Sequence, residues 1–188
     1  ARRPGDRDFA ERMPGGDFLA KDKSGEEKVL YSYGFTGVEM STPSGAPLQL
    51  KPGENATIEF LITEDQRPGA PADMPLWHFD ETAGLWVEDG VVRKEGLTYK
   101  AEVPHFSWWN CDVGFPAAYI EGNVVDCHGK PTRGVPVVVG QRQAATDHEG
   151  NFKGPVPATI ALGFQVANTD STLAPLGVAE RRLLGKFI

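Results

Sequence analysis

Glycine and proline divide this chain into short pieces. Its 188 residues include 22 glycines and 15 prolines without any regular period, and no stretch sustains an apolar repeat of 3.6 residues over about three helical turns. Between the breaks lie short runs rich in valine and aromatic residues, such as 56–62, where apolar residues recur at every second position. Other runs predict hairpins that turn at residues 80–84 and 95–96. The chain is therefore predicted to be all-β.

The order of these runs predicts two tandem β-sandwich modules. Residues 1–28 are polar and broken by prolines and a Gly-Gly pair, so we expect an irregular lead-in. A first module then covers residues 29–113, and a new series of short strands gives a second module at 114–188. Near the end, residues 178–184 could form one helical turn, but a final strand fits the sequence better.

Composition excludes several classes of function. The net charge of −7 and the scattered basic residues leave no positive stripe for a nucleic acid. No run of about 18 apolar residues is present to span a membrane. The chain also lacks the sequence motifs of nucleotide binding, of serine hydrolases and of zinc proteases. We therefore expect neither an enzyme nor a bound cofactor.

The two cysteines leave two alternatives open. A bridge between Cys111 and Cys127 would close a loop of about 15 residues and stabilise the fold by about 3 kcal/mol. The other alternative is two separate, partly buried thiols. Their spacing matches no zinc site, and neither alternative fixes the compartment.

Four potential metal ligands lie in turns of the second module. They are Asp126, His128, Asp147 and His148. If the two turns meet at one end of the sandwich, these side chains could hold a metal ion. Aspartate in a turn also accepts hydrogen bonds from nearby backbone amides, and this structural interpretation predicts no metal.

The segment EVPHFSWWNCD, residues 102–112, concentrates a histidine, a serine, two tryptophans and a cysteine. Pro104 cannot donate a ladder hydrogen bond, so we expect one strand to end there and another to begin just after it. The new strand would direct Trp108 inward and would turn Ser107 and Trp109 to the other face. On this interpretation, the segment is the junction between the two modules.

A recurring set of small, acidic and valine residues marks the second module. These positions are Gly122, Val124, Asp126, Gly129, Pro131, Val135, Val137, Val139, Thr146, Asp147, Gly150, Phe152, Val156 and Pro157. The pattern resembles the carboxypeptidase regulatory-like family, a prealbumin-type or CnaB-like sandwich. The resemblance implies that glycines form turns and that valines fill the core, and it implies no activity.

A second resemblance lies upstream. RMPGGDFLA, LYSYGFTGVEM, PLQLKPGENATIEFLI, PLWHFDETAGLWVE and VPHFSWWNCD occur in this order. They resemble a module found in bacterial surface lipoproteins and in cartilage intermediate layer protein, where it lies beside the regulatory-like sandwich. The resemblance implies an extracellular or surface-anchored, non-enzymatic adhesion or structural segment with a protein or glycan partner. It also implies a module that begins upstream of Ala1, so that missing strands would leave a sheet edge free to pair with another chain.

The sequence His-Phe-Ser at 105–107 also resembles the self-cleavage point of function-to-find domains. That resemblance implies that Ser107 attacks the preceding carbonyl, that His105 takes up the proton, and that the bond between Phe106 and Ser107 breaks. Self-processing is therefore one alternative function.

Sugar binding is another alternative. It would need a row of exposed tryptophans on which a sugar ring can stack, and the candidates are Trp77, Trp86 and Trp109.

Overall fold

A computed structural model describes residues 9–166. These residues consist almost entirely of β-strands and turns, which confirms the all-β prediction. They belong to two compact units, unit 1 (Ala1–Phe115) and unit 2 (Pro116–Ile188). In the described part of the chain, no helix is long and apolar enough to cross a membrane. The helical turn or strand predicted near residues 178–184 lies outside the described residues.

The elements follow one another along the chain in a simple order. They are α1 (Phe9–Arg12), β1 (Leu19–Lys21), β2 (Glu27–Gly37), β3 (Met40–Ser41), β4 (Pro47–Leu48), β5 (Ala56–Leu61), a 3₁₀ turn (Arg67–Gly69), β6 (Asp73–Asp80), β7 (Leu85–Glu95), β8 (Thr98–Val103), β9 (Trp108–Asn123), β10 (Pro136–Val139), β11 (Arg142–Ala145), β12 (Asn151–Pro157) and β13 (Phe164–Val166).

Unit 1 is organised around a sheet that returns on itself. Its strands follow the order β1-β2-β9-β6-β7-β8-β5, and β1 also pairs in parallel with β7. The strands β1, β2, β9, β6 and β7 therefore form a closed circuit, from which β8 and β5 continue. Among the described strands, the end strand β5 pairs only with β8.

The segment before β2 belongs to this sheet, contrary to the irregular lead-in predicted for residues 1–28. In the described part of this segment, strand β1 lies between β2 and β7 and pairs with both. Phe9 and Phe18 are buried, and the ring of Phe9 packs on that of Phe35 with their centroids 5.2 Å apart. Glycine and proline do break the chain here, but the apolar residues between the breaks are buried by tertiary packing, which local propensity does not register.

Apolar side chains of β2 and of β5 to β9 meet in the main core of unit 1. In the run 56–62, Ile58, Phe60 and Ile62 are buried, as their alternation predicts. The two predicted hairpins are also confirmed, with Gly84 (φ 68°) and Gly96 (φ 62°) in the turns. The buried members of this core are Tyr33, Ile58, Phe60, Ile62, Met74, Leu76, Val92, Tyr99, Ala101, Val103, Trp109 and Cys111.

Unit 2 has its own small core. The strand β12 pairs antiparallel with the second half of β9, and β10 lies between β11 and β13. Gly122 lies directly opposite Phe152, and a Cβ atom at Gly122 would come within 2.6 Å of the phenylalanine ring. A larger residue at this position would therefore displace the Phe152 ring. The buried core residues are Val124, Val135, Val137, Val139, Phe152 and Val156.

Candidate functional site

The His-Phe-Ser segment lies in the short loop between β8 and β9. The sequence predicted a strand here, but β9 begins only at Trp108. The loop backbone is held by another part of the chain: the side chain of Gln49 accepts a hydrogen bond from Phe106 N (2.7 Å) and donates one to Phe106 O (2.9 Å). Val38 N also donates to Ser107 O at 3.0 Å. These hydrogen bonds hold the loop in place, although the loop does not pair with a β-strand.

The structure reverses the predicted orientation of the two tryptophans. Trp109 was predicted to face away from the core but is fully buried in it, whereas Trp108 is only partly buried. Trp77 and Trp86 are buried as well, and none of the three sugar-stacking candidates exposes more than 1% of its surface. Because a buried ring cannot stack on a sugar, the predicted sugar site at these tryptophans is wrong.

Three potential metal ligands meet beside this loop. They are His78 of β6, Asp89 of β7 and His105 of the loop. His78 Nδ1 lies 3.3 Å from Asp89 Oδ2, and His105 Nε2 lies 3.7 Å from the same oxygen. One ligand atom from each residue lies within 4.8 Å of the other two. Within residues 9–166, no other cluster of three or more histidine, cysteine or acidic side chains meets this distance.

A β-bulge brings Asp89 into this cluster. The pairing of β6 with β7 shifts between Leu76 and Trp77, which leaves Asp89 as an extra residue without a direct partner. A bulge interrupts the alternation of side chains and turns the extra residue in a new direction. The cluster was not predicted from the sequence, because a bulge leaves no mark in the residue pattern. The available signal was the predicted hairpin, which places His78 and Asp89 on neighbouring strands.

The two residues predicted for self-cleavage are not hydrogen-bonded to each other. The imidazole of His105 faces Asp89 and packs on the ring of Trp109 with centroids 4.8 Å apart, and among the described residues no hydrogen bond joins it to Ser107. One contact does suit the chemistry. The carbonyl that Ser107 would attack is that of Phe106, and it already accepts a hydrogen bond from Gln49.

A separate polar network is fully buried in unit 1. Ser32, Asn110 and Asp112 have no exposed surface. Asp112 accepts hydrogen bonds from Tyr33 N (3.2 Å) and from the Asn110 amide, and Ser32 Oγ donates to Asn110 Oδ1 at 3.0 Å. Burial raises the pKa of Asp112 well above its usual range, because desolvation outweighs the hydrogen bonds that favour the carboxylate.

The four metal ligands predicted in unit 2 serve as turn residues. Asp126 Oδ1 accepts the backbone N–H groups of His128 and Lys130, each at 2.9 Å, and Asp147 accepts two backbone N–H groups of its own turn. These bonds lower the pKa of both aspartates. In the part of the chain that the structure describes, Asp126, His128, Asp147 and His148 do not come together as a group that could share one ion.

Both cysteines are free thiols, which decides between the two alternatives. Cys111 is buried, and Cys127 is exposed. Burial, with a smaller effect from the nearby charge of Asp112, raises the pKa of the Cys111 thiol well above its usual value. Since the thiolate is the reactive form, Cys111 is chemically protected.

Comparison with known proteins finds a partial match to cartilage intermediate layer protein 2 of Homo sapiens. The two are 31% identical over 80 residues, which are 43% of this chain and 7% of that protein. The chain therefore spans a small part of this relative's length. No family model matches the chain, and no solved structure matches it. The resemblance of residues 114–188 to the carboxypeptidase regulatory-like family stays a prediction.

Proposed function

We propose that the chain is a non-enzymatic structural or adhesion segment of an exported protein. The observation that carries the proposal is the partial match to a protein named for a layer of cartilage. The distribution of aromatic residues supports this proposal, because three of the four tryptophans are buried in the interior and do not line an open surface. The net charge of −7 also favours a protein partner over a strongly acidic glycan.

The surface of unit 1 offers two places where a protein partner could bind. Met40 and Leu48 face each other across the β3–β4 pair, and both are exposed. The strand β5 has no partner on its second side among the described strands. A strand of another chain can add to such a side through backbone hydrogen bonds. The β3–β4 pair would supply apolar contact, and β5 would supply the strand pairing predicted from the sequence.

Export is tested by locating the chain in cells that produce the parent protein. An antibody raised against residues 9–166 is applied to intact cells, to permeabilised cells and to the medium. We expect the antibody to detect the chain on intact cells or in the medium. Detection only after permeabilisation would contradict the proposal.

Adhesion is tested by measuring binding of the purified chain to immobilised matrix proteins and glycans. We expect saturable binding to a protein surface, and weaker binding when Met40 and Leu48 are both replaced by aspartate. Leu97→Asp provides a control, because Leu97 is an exposed apolar residue elsewhere in unit 1. Absence of binding to every surface, or turnover of one of them, would count against an adhesion role.

A second candidate function is self-cleavage between Phe106 and Ser107, and the Gln49 contact favours it. Attack of Ser107 Oγ on the Phe106 carbonyl carbon would form an ester and break the peptide bond. His105 would take the hydroxyl proton and pass it to the departing amide nitrogen of Ser107. Gln49 Nε2, at 2.9 Å from the carbonyl oxygen, would stabilise the negative charge that develops there. Water would then hydrolyse the ester, leaving Phe106 with a free carboxylate and Ser107 with a free amine and a restored hydroxyl.

This alternative is tested on a denaturing gel and by mass spectrometry. Self-cleavage predicts fragments 1–106 and 107–188, both abolished by Ser107→Ala. Gln49→Glu keeps the acceptor for Phe106 N but removes the donor to the carbonyl, and we expect cleavage to slow by about 100-fold or more. A single full-length species after prolonged incubation would exclude self-cleavage and leave the structural proposal in place.

A further inference from the structure

We propose that His78, Asp89 and His105 form a binding site for a divalent transition-metal ion, with Zn²⁺ as the ion that fits best. Two imidazoles and one carboxylate are the donors that zinc binds in proteins. Calcium and magnesium prefer oxygen ligands, so two nitrogen donors disfavour them. The three protein ligands leave at least one coordination position for water or for a group of a partner.

The distances between the ligand atoms suit a metal ion. Zinc binds nitrogen and oxygen at about 2.0–2.2 Å, so two ligands of a tetrahedral site lie about 3.4 Å apart. The observed separations from Asp89 Oδ2 are 3.3 Å to His78 Nδ1 and 3.7 Å to His105 Nε2. The largest separation within the cluster is no more than 4.8 Å. A bound ion would draw the more widely separated ligand atoms closer together.

An unsatisfied atom provides an independent reason to place an ion here. His78 Nδ1 is inaccessible to solvent and makes no hydrogen bond, although it lies 3.3 Å from Asp89 Oδ2. A buried polar atom without a partner is costly and needs an explanation. Zn²⁺ coordinated to this nitrogen would satisfy it, and the Asp89 carboxylate would partly neutralise the ion.

The site is accessible from one side and rigid on the other. The exposed fractions of the side chains are 26% for His78, 36% for Asp89 and 38% for His105. An ion could therefore approach from the side of Asp89 and His105, and the His78 ring would have to turn to present its buried Nδ1. Beneath them lies the buried ring of Trp109, whose Nε1 donates to His105 O at 3.2 Å. With the Gln49 contacts to Phe106, this bond fixes the position of His105 before any ion binds. Such preorganisation lowers the cost of binding.

The proposed metal site explains the bulge at Asp89. Without the register shift between Leu76 and Trp77, side chains would simply alternate between the two faces of β7. The bulge instead turns Asp89 towards two histidines that come from different elements. The bound ion would link β6, β7 and the loop before β9, and would stabilise the folded chain against unfolding.

The test uses the full chain, freed of any affinity tag and of metal by a chelator. Calorimetry with Zn²⁺ should give about one ion per chain, and Co²⁺ should give the visible absorption of a low-symmetry site. We expect His78→Gln, Asp89→Asn and His105→Gln each to weaken zinc binding by at least about 10-fold. The double variant His128→Gln/His148→Gln is the control, because these exposed histidines lie in unit 2 and should not affect binding.

A second measurement keeps the test valid if a site variant fails to fold. In the unaltered chain, zinc should shift the imidazole NMR signals of His78 and His105 and leave those of His128 and His148 in place. Saturating zinc should also raise the melting temperature of the chain. Absence of saturable binding, or loss of binding in the His128/His148 variant, would overturn the proposal. Shifts confined to the unit 2 histidines would overturn it as well.

Discussion

Replacement of Asp112 by asparagine should stabilise the protein increasingly as the pH rises. Asp112 is completely buried, and burial raises its pKa in the folded state. In the unfolded chain, an aspartate loses its proton near about pH 3.9. Above that pH, the unfolded state gains from ionisation while the folded state still holds the proton. Stability is therefore lost as the pH rises from about 4 towards the folded-state pKa, at about 1.4 kcal/mol per pH unit.

Asparagine removes this titration and preserves the shape of the side chain. Its amide oxygen can still accept the hydrogen bond from Tyr33 N. The amide of Asn110 must turn over so that its oxygen accepts from the new NH₂ group, and its own NH₂ can then donate to Ser32 Oγ. The variant should therefore show the pH dependence of the wild type without the contribution of Asp112.

The assay is urea unfolding of both proteins at intervals of one unit from about pH 4 to about pH 7. We expect the difference in unfolding free energy, variant minus wild type, to grow by about 1.4 kcal/mol per pH unit until the pH reaches the folded-state pKa of Asp112 and to level off above it, with an unchanged m value. Contributions from histidines and other carboxylates are common to both proteins and cancel. A difference that stays constant over this range would refute the argument, because Asp112 would then titrate alike in both states.

Asp147→Asn is a control, because the pKa of Asp147 is shifted in the opposite direction from that of Asp112. Hydrogen bonds to the backbone of its turn lower the pKa of Asp147 in the folded state, so its contribution is present above the unfolded pKa and is lost as the pH falls. The difference between wild type and this variant should therefore change below about pH 4 and stay level above it.

Three further predictions concern the two cores and the thiols. A maleimide should label one thiol of the native chain, Cys127, and two after denaturation, because Cys111 is buried; labelling of both in the native state would contradict the structure. Gly122→Ala should destabilise unit 2 by about 1–3 kcal/mol, because the added methyl group meets the Phe152 ring. Thermal unfolding followed by circular dichroism measures this loss, and Gly163→Ala, which has open space around it, should have little effect. Phe18→Ala should cost about 3–5 kcal/mol in urea unfolding, whereas an irregular lead-in would tolerate it.

Local patterns predicted the parts of the fold that depend on neighbouring residues. The alternation in 56–62 predicted which side chains of β5 are buried, and glycines 84 and 96 marked turns because their backbone has positive φ. Aspartates 126 and 147 were correctly given a structural alternative, since an aspartate followed by a glycine-containing turn commonly accepts backbone hydrogen bonds. These features involve residues within a few positions of one another.

The features that sequence reasoning missed depend on register and on distant contacts. Which of the two adjacent tryptophans faces the core depends on how β9 pairs with its neighbouring strands, and the local sequence does not reveal this pairing. The bulge that redirects Asp89 leaves no mark in composition or periodicity. The burial of Phe18 depends on packing partners that the local sequence does not reveal. The candidate metal cluster combines such features, and so it could not be assembled from the sequence.

The strand β9 restricts how the two units can be separated by duplication or shuffling during evolution. It runs from Trp108 to Asn123, and the border between Phe115 and Pro116 falls inside it. Proteolytic cuts and gene-fusion joints are best tolerated in exposed loops, and the border between the two units is not in a loop. We therefore expect duplication or shuffling during evolution to move the two units as a single cassette, with breakpoints outside both of them.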